Sequence, residues 1–329
     1  MYQTNKTPWR MTPWLFLVSF VLVMLILGCS AQPKEFNSTG EIWGIYQLDL
    51  ETKTVLKLYG ADQEISGLDL DYTDEYLVFS QMTGGTEYEH TEIYTLSLND
   101  LTSTRLTENS NWDLYPAWSP DGTQIAFLSW RDSTLDIYLM EATGANQTLL
   151  YDSGFHDADI DWAGDQIVFT SESRIWIMDS DGLNPRPLTD PPRAGEWGQA
   201  NLPFGDYDPR ISPDGTRVLF SRLISDESIH GNYDLYLVDV TGSSPENLTG
   251  TEYTQGLSSW APSGKELLFI VSAINDKGMY DLYSIKVDGS DNKLLTPEYF
   301  PADFLIHSAR YSADALSVYF VGQWWSGAD

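Results

Sequence analysis

Four histidines and a scatter of aspartates carry the chemistry open to this sequence. His90 and His230 fall in irregular polar segments. His156 and His307 stand just ahead of short alternating stretches, as do Asp113, Asp157, Asp159, Asp206 and Asp208, with Asp69 earlier in the chain. Carboxylate oxygens converging on one point would hold a hard cation. A mixed set drawn from His156, Asp157, Asp159, Asp206, Asp208 and His307 would suit a divalent metal acting on a polysaccharide. The plainer account is that an Asp opening a strand bonds nearby backbone N–H groups. With a net charge of -30, acids also fall everywhere in this chain. No cofactor is expected beyond that candidate cation.

The tryptophans pose a similar choice. Trp112, Trp130, Trp197, Trp324 and Trp325 lie outside any repeated position. Exposed, such rings anchor a protein, peptide or glycan; buried, they pack one structural unit on the next. Catalytic motifs are missing. Asp179-Ser180-Asp181-Gly182 opens like a calcium loop but lacks the later Glu. No Gly-x-Ser-x-Gly elbow and no phosphate-cradling glycine loop occurs. The strongly acidic balance excludes nucleic acid, whose binding needs a basic surface.

The elements that would position these residues are hairpins. In Tyr115 to Ser129 two apolar runs flank Ser119-Pro120-Asp121-Gly122. Pro presets the turn dihedral, and Gly supplies a residue that can take positive φ. The second-strand phenylalanine recurs as Phe79, Phe127, Phe169, Phe220, Phe269 and Phe320, at intervals of 48, 42, 51, 49 and 51 residues. An aromatic precedes most of the turns: Tyr72, Trp118, Trp162, Trp260 and Tyr311, with Ile211 the exception. Trp118, Trp162 and Trp176 are therefore expected in the core. A second hairpin follows each first one, opening on pairs such as Ile93-Tyr94 and Leu235-Tyr236 and closing on Leu-Thr, as at Leu188-Thr189. Four strands per unit of this size make a propeller blade. The sixth unit runs out after one hairpin, and its missing half lies at Ile45 to Leu58. The sequence thus predicts an all-β fold: six four-stranded antiparallel blades over 41–329, with N-terminal strands completing the C-terminal blade.

The Pro-Ala-Trp-Ser-Pro-Asp-Gly unit of Pro116 to Gly122, with Ile125-Ala126-Phe127 and Asp136-Ile137-Tyr138 after it, resembles the bacterial TolB-type propeller repeat. The likeness covers essentially everything after Gly40 and implies a six-bladed protein-binding platform with no inherited catalytic residue. TolB proteins carry a separate N-terminal α/β domain for which this chain has no room, so a role in the Tol–Pal system is not implied.

Strand alternation sorts the turns by face. The uniform Ser-Pro-Asp-Gly and Gly turns share one face. The irregular segments Gln81 to Thr91, Asp190 to Phe204, Leu223 to Asn232 and Pro297 to Ile306 share the other, where function is expected. Trp112, Asp113, His156, Asp157, Trp197, Asp206, Asp208, His230, His307 and Trp324 are the candidate binding residues there.

Residues 1–28 read as a signal peptide: Lys6 and Arg10, then the apolar run Trp14 to Leu27. That run ends in Ile26-Leu27-Gly28-Cys29, similar to a bacterial lipobox, which implies lipidation of Cys29, the only cysteine. Residues 29–40 read as a tether. The expected protein is extracytoplasmic, anchored to the membrane through its N-terminus alone, and a non-enzymatic binding platform. A metal-dependent carbohydrate enzyme and a structural component of an envelope complex are the alternatives.

Overall fold

The structure, a computed structural model, describes residues 40–84, 90–227, 231–251, 253–272, 280–301 and 303–324. The signal peptide, Cys29 and nearly all of the tether lie outside this range, as do His230 and Trp325.

Among the described residues, twenty-four strands form six separate antiparallel sheets of four. Blade one runs from its inner strand Ile65–Leu70 through Tyr76–Thr83 and His90–Ser97 to Ser103–Arg105. Blade two comprises Asp113–Trp118, Gln124–Ser129, Asp136–Glu141 and Thr148–Tyr151. Blade three comprises Asp157–Ala163, Gln166–Ser171, Arg174–Asp179 and Arg186–Pro187. Blade four comprises Asp206–Ile211, Arg217–Ser225, Asn232–Asp239 and Glu246–Asn247. Blade five comprises Thr254–Trp260, Glu266–Ser272, Tyr280–Lys286 and Lys293–Leu294. Blade six joins the C-terminal Phe304–Tyr311 and Ser317–Trp324 to the N-terminal Trp43–Asp49 and Val55–Ala61. Inner strands touch in sequence around the axis, and that of blade six meets that of blade one, so the ring is closed.

One cross-strand pair explains the periodicity. Phe79, Phe127, Phe169, Phe220 and Phe269 lie opposite Tyr94, Tyr138, Trp176, Tyr236 and Tyr283, at ring separations of 5.8 to 6.3 Å. In blade six the partner of Phe320 is Tyr46, 5.4 Å away, from the other end of the chain. Every one of these phenylalanines is buried. Directly opposed aromatics are a main source of sheet stability, so the repeat conserves this contact in each blade.

The Leu-Thr endings act as latches. Thr107, Thr189, Thr249 and Thr296 accept, through Oγ1, the backbone N–H of Ile93, Ile175, Leu235 and Leu282 at 2.8 to 3.1 Å. The preceding Leu188 and Leu295 are buried. A buried N–H with no partner is costly, which gives the short fourth strand its value.

The Ser-Pro-Asp-Gly turn closes on itself. Ser119 Oγ accepts from Gln124 N at 2.9 Å and donates to Asp121 Oδ1 at 2.7 Å, while Gly122 takes φ 69°. Ser212, Asp214 and Gly215 repeat this in blade four. In blade one Asp71 replaces the serine and accepts from Glu75 N and Tyr76 N. That register corrects one expectation. Leu70, not Tyr72, stands where the other blades carry Trp118, Trp162, Trp260 and Tyr311, and Tyr72 sits within the turn, half exposed.

Candidate functional site

Each inner strand carries a bulge that decides where its side chains go. Register slips at Ser66/Asp69, Leu114/Ala117, Ala158/Asp161, Tyr207/Arg210, Gly256/Ser259 and Ile306/Ala309. In five of the blades a bulge residue lies in the left-handed region: Gly67, Tyr115, Asp159, Asp208 and Leu257. A Cβ on Gly67 would come within 2.7 Å of Tyr115 Cα, so glycine is required where blades one and two approach. One extra residue per strand reverses the alternation partway along. Ahead of the bulge Asp113, Asp157 and Asp206 are fully buried; at and after it Leu68, Ile160 and Ile211 pack into the core, while Asp159, Asp208 and Arg210 bond to neighbouring inner strands.

The strand-start aspartates are therefore consumed inside their blades. Asp113 is fully buried and accepts from Ser129 Oγ at 2.6 Å, Asn109 Nδ2 at 2.7 Å and Arg131 Nη2 at 2.9 Å. Asp206 is held in a two-pronged pair by Arg222, at 2.6 and 2.8 Å. Asp157 differs. It is fully buried and accepts from Ser153 Oγ at 2.6 Å, but its Oδ2 has no partner. Burial pushes its carboxyl up to about 6, helped by the nearby Asp136 and opposed by the Ser153 and Ser171 hydroxyls.

Asp159 and Asp208 do come together. Asp208 N donates to Asp159 Oδ2 at 3.2 Å, and Asp208 Oδ2 accepts from Ser258 N of the next blade at 3.1 Å. Burial pushes Asp208 up to about 6 against the pull of Arg210, which it contacts at 2.7 Å. These carboxylates tie adjacent inner strands together. Among the described residues, no group of three or more His, Cys, Asp or Glu is placed to hold a metal ion.

Of the histidines, His156 is exposed, accepts from Leu135 N at 3.0 Å through Nδ1 and packs its ring 4.8 Å from Trp130. His307 sits between Trp43 and Tyr280, bonded to Gln323 at 3.0 Å, and burial lowers its pKa. His90 lies 3.5 Å from the buried Glu92. No common point gathers these three.

On the irregular face the tryptophans emerge together with side chains that periodicity did not single out. Trp130 N donates to Trp112 O at 2.9 Å, so these two rings leave adjacent chain segments of blade two. Both are nearly half exposed, and Phe155, beside His156, is more so. Trp197 is 70% exposed on the segment between blades three and four. That segment is anchored rather than loose: Ala200 and Phe204 form a small core with Leu223, and Arg193 lies 3.6 Å over the Phe204 ring. Trp324 is more enclosed, packed edge-on against Phe304 at 5.1 Å.

The opposite end holds a cavity of about 360 Å³, reached from the face of short turns. Its floor is formed by the residue before the repeat position that Leu70, Trp162, Ile211, Trp260 and Tyr311 occupy: Asp69, Asp161, Arg210, Ser259 and Arg310. Trp118, Trp162, Trp260 and Tyr311 wall it, and Tyr72 stands at the rim. Asp69 receives Trp118 N at 2.8 Å and Arg310 Nε at 3.1 Å; Asp161 receives Ile211 N at 2.8 Å. Periodicity places these tryptophans correctly as buried residues; of the floor charges the sequence marks Asp69, but not Asp161, Arg210 or Arg310. The available signal was the charge at this repeat position, Arg210 and Arg310 in two blades and Asp69 and Asp161 in two others, against Ala117 and Ser259 in the remaining two.

No family model matches the chain. A solved structure assigned as TolB from Agrobacterium tumefaciens superposes with a TM-score of 0.65 at 18% identity, over 86% of this chain and 98% of that one. An uncharacterised protein of Agrobacterium fabrum is 28% identical over 198 residues, 56% of this chain and 63% of its own length. The Tol-Pal system protein TolB of Desulfosudis oleivorans is 30% identical over 104 residues, 30% of this chain and 24% of that protein. The chain thus spans less than two thirds of either curated relative.

Proposed function

Taking as premise that the chain folds as a TolB-like six-bladed β-propeller, we propose that it is a tethered, extracytoplasmic binding platform engaging a protein through its irregular face. The observation that carries this reading is the set of exposed rings Trp112, Trp130, Phe155 and Trp197 on braced segments of one face. Large aromatics held in place lose little freedom on binding, and they dominate the energetics of interfaces. A net charge of -30 sets the remainder of the surface against them as a polar, hydrated rim. The N-terminal segment supplies the address: cleavage before Cys29 and acylation of its sulfur would fix the propeller to an envelope membrane.

Two measurements test the two parts. Full-length protein is used to capture partners from detergent-solubilised envelope extract, beside a Trp112→Ala/Trp130→Ala variant. Loss of a specific partner with the double variant is expected, and its undiminished recovery would refute the assignment of this face. Mass spectrometry of the N-terminus should find a diacylated Cys29; an intact Met1 with a free thiol at Cys29 would overturn the anchor.

A further inference from the structure

The cavity at the short-turn end belongs to neither reading so far, and its lining is chemically particular. Carboxylates outnumber cations there. Asp69, Asp71 and Asp161 line it, with only Arg210 and Arg310 against them; Asp208, Asp161 and Asp159 all lie close enough to Arg210 to hold its charge firmly, and Asp161 also faces Arg310. Arg210 is also fully engaged. Its Nε donates to Ser258 O at 3.1 Å, Nη1 to Ile160 O at 3.3 Å and Pro209 O at 3.1 Å, and Nη2 meets Asp208 at 2.7 Å. Asp161 is not: one oxygen receives Ile211 N, and among the described residues the other accepts no hydrogen bond.

We propose that this funnel is a second binding site, specific for an alkylguanidinium group. The group enters between the indoles of Trp118, Trp162 and Trp260 and donates to the open oxygen of Asp161. A guanidinium is planar and weakly hydrated, stacks on indole faces and presents donors in its own plane. Both features of the funnel are matched at once, which neither an anion nor a neutral apolar group achieves. The volume of about 360 Å³ lies at the lower end of small-molecule pockets, the size for one such group on a short chain. The surrounding negative charge raises the local concentration of any cation and repels carboxylate-bearing competitors. The same chemistry is offered by a free small guanidine or by an arginine side chain on a polypeptide.

The test uses full-length protein in mild detergent and calorimetric titration with N-butylguanidinium, its neutral isostere N-butylurea, and the peptide acetyl-Gly-Arg-Gly-amide. One saturable site is expected for either guanidinium probe, at least about tenfold tighter than for butylurea. Asp161→Asn keeps the acceptor for Ile211 N but removes the charge, and should weaken that binding about tenfold. Tyr72→Ala, at the exposed rim, should weaken it with no demand on the core. Equal affinity for butylguanidinium and butylurea in the wild type, or no saturable guanidinium binding, would overturn the proposal whatever the variants do. Because the partner capture above depends on the opposite face, failure here leaves that assignment to its own test.

Discussion

Replacing Asp157 by Asn should stabilise the propeller, and the gain should vanish in acid. The wild-type carboxyl is fully buried, has one oxygen without a hydrogen-bond partner, and is carried from 3.8 to about 6, first by burial and then by Asp136. Asp136 is itself pushed up, by burial and by Asp152 and Asp132, so the pocket between blades two and three gathers carboxylates without a cation bonded to Asp157. An acid whose pKa rises on folding binds its proton more tightly in the folded state. Folding is therefore penalised above about 6, and the penalty fades as pH falls towards 3.8. A shift of this size corresponds to roughly 3 kcal/mol at neutral pH. Asn keeps the shape and the acceptor for Ser153 Oγ while removing the charge. Urea denaturation of wild type and Asp157→Asn at pH 7.5, 6, 5 and 4 should show a difference of roughly 3 kcal/mol at the first, shrinking to near zero at the last. In thermal unfolding the gap corresponds to about 5 °C for a domain of this size. A variant less stable than wild type at pH 7.5, or a gain independent of pH, would refute the argument.

Two further outcomes follow from the repeat. Thr189→Val removes the acceptor of Ile175 N, which is buried within blade three; the orphaned N–H should lower stability by about 1–3 kcal/mol in the same assay. Ala315 holds φ 56° at the turn position that Gly122, Gly215 and Gly264 fill elsewhere. Ala315→Gly should relieve left-handed strain and stabilise by roughly 0.5–1 kcal/mol; a loss of stability would show the strain is absorbed elsewhere.

The proposed binding face was half legible. Trp112, Trp130 and Trp197 stand out in the sequence because they fall outside the repeat, and they are the rings that reach solvent. Phe155 has no such mark. Its exposure depends on a turn in which Gly154 N donates to Asp152 Oδ1 at 2.6 Å, not on any period.

What the sequence determined by itself is the architecture. The spacing of Phe79 to Phe320 encodes a turn between the first and second strands and a cross-strand pair between the second and third, repeated once per blade, so blade number and closure through Tyr46 can be counted along the chain. The direction of the inner-strand side chains was decided only by the tertiary structure. The bulges that turn Asp159, Asp208 and Arg210 towards the channel, and leave Asp113, Asp157 and Asp206 inside their blades, are occupied by Tyr115, Asp159, Asp208 and Leu257 as readily as by Gly67. No residue type announces a left-handed bend there; it is imposed by packing each inner strand against the next around the axis. That packing also brings Asp69 beside Arg310, 241 residues away, and builds a charged floor from positions that look unrelated in sequence.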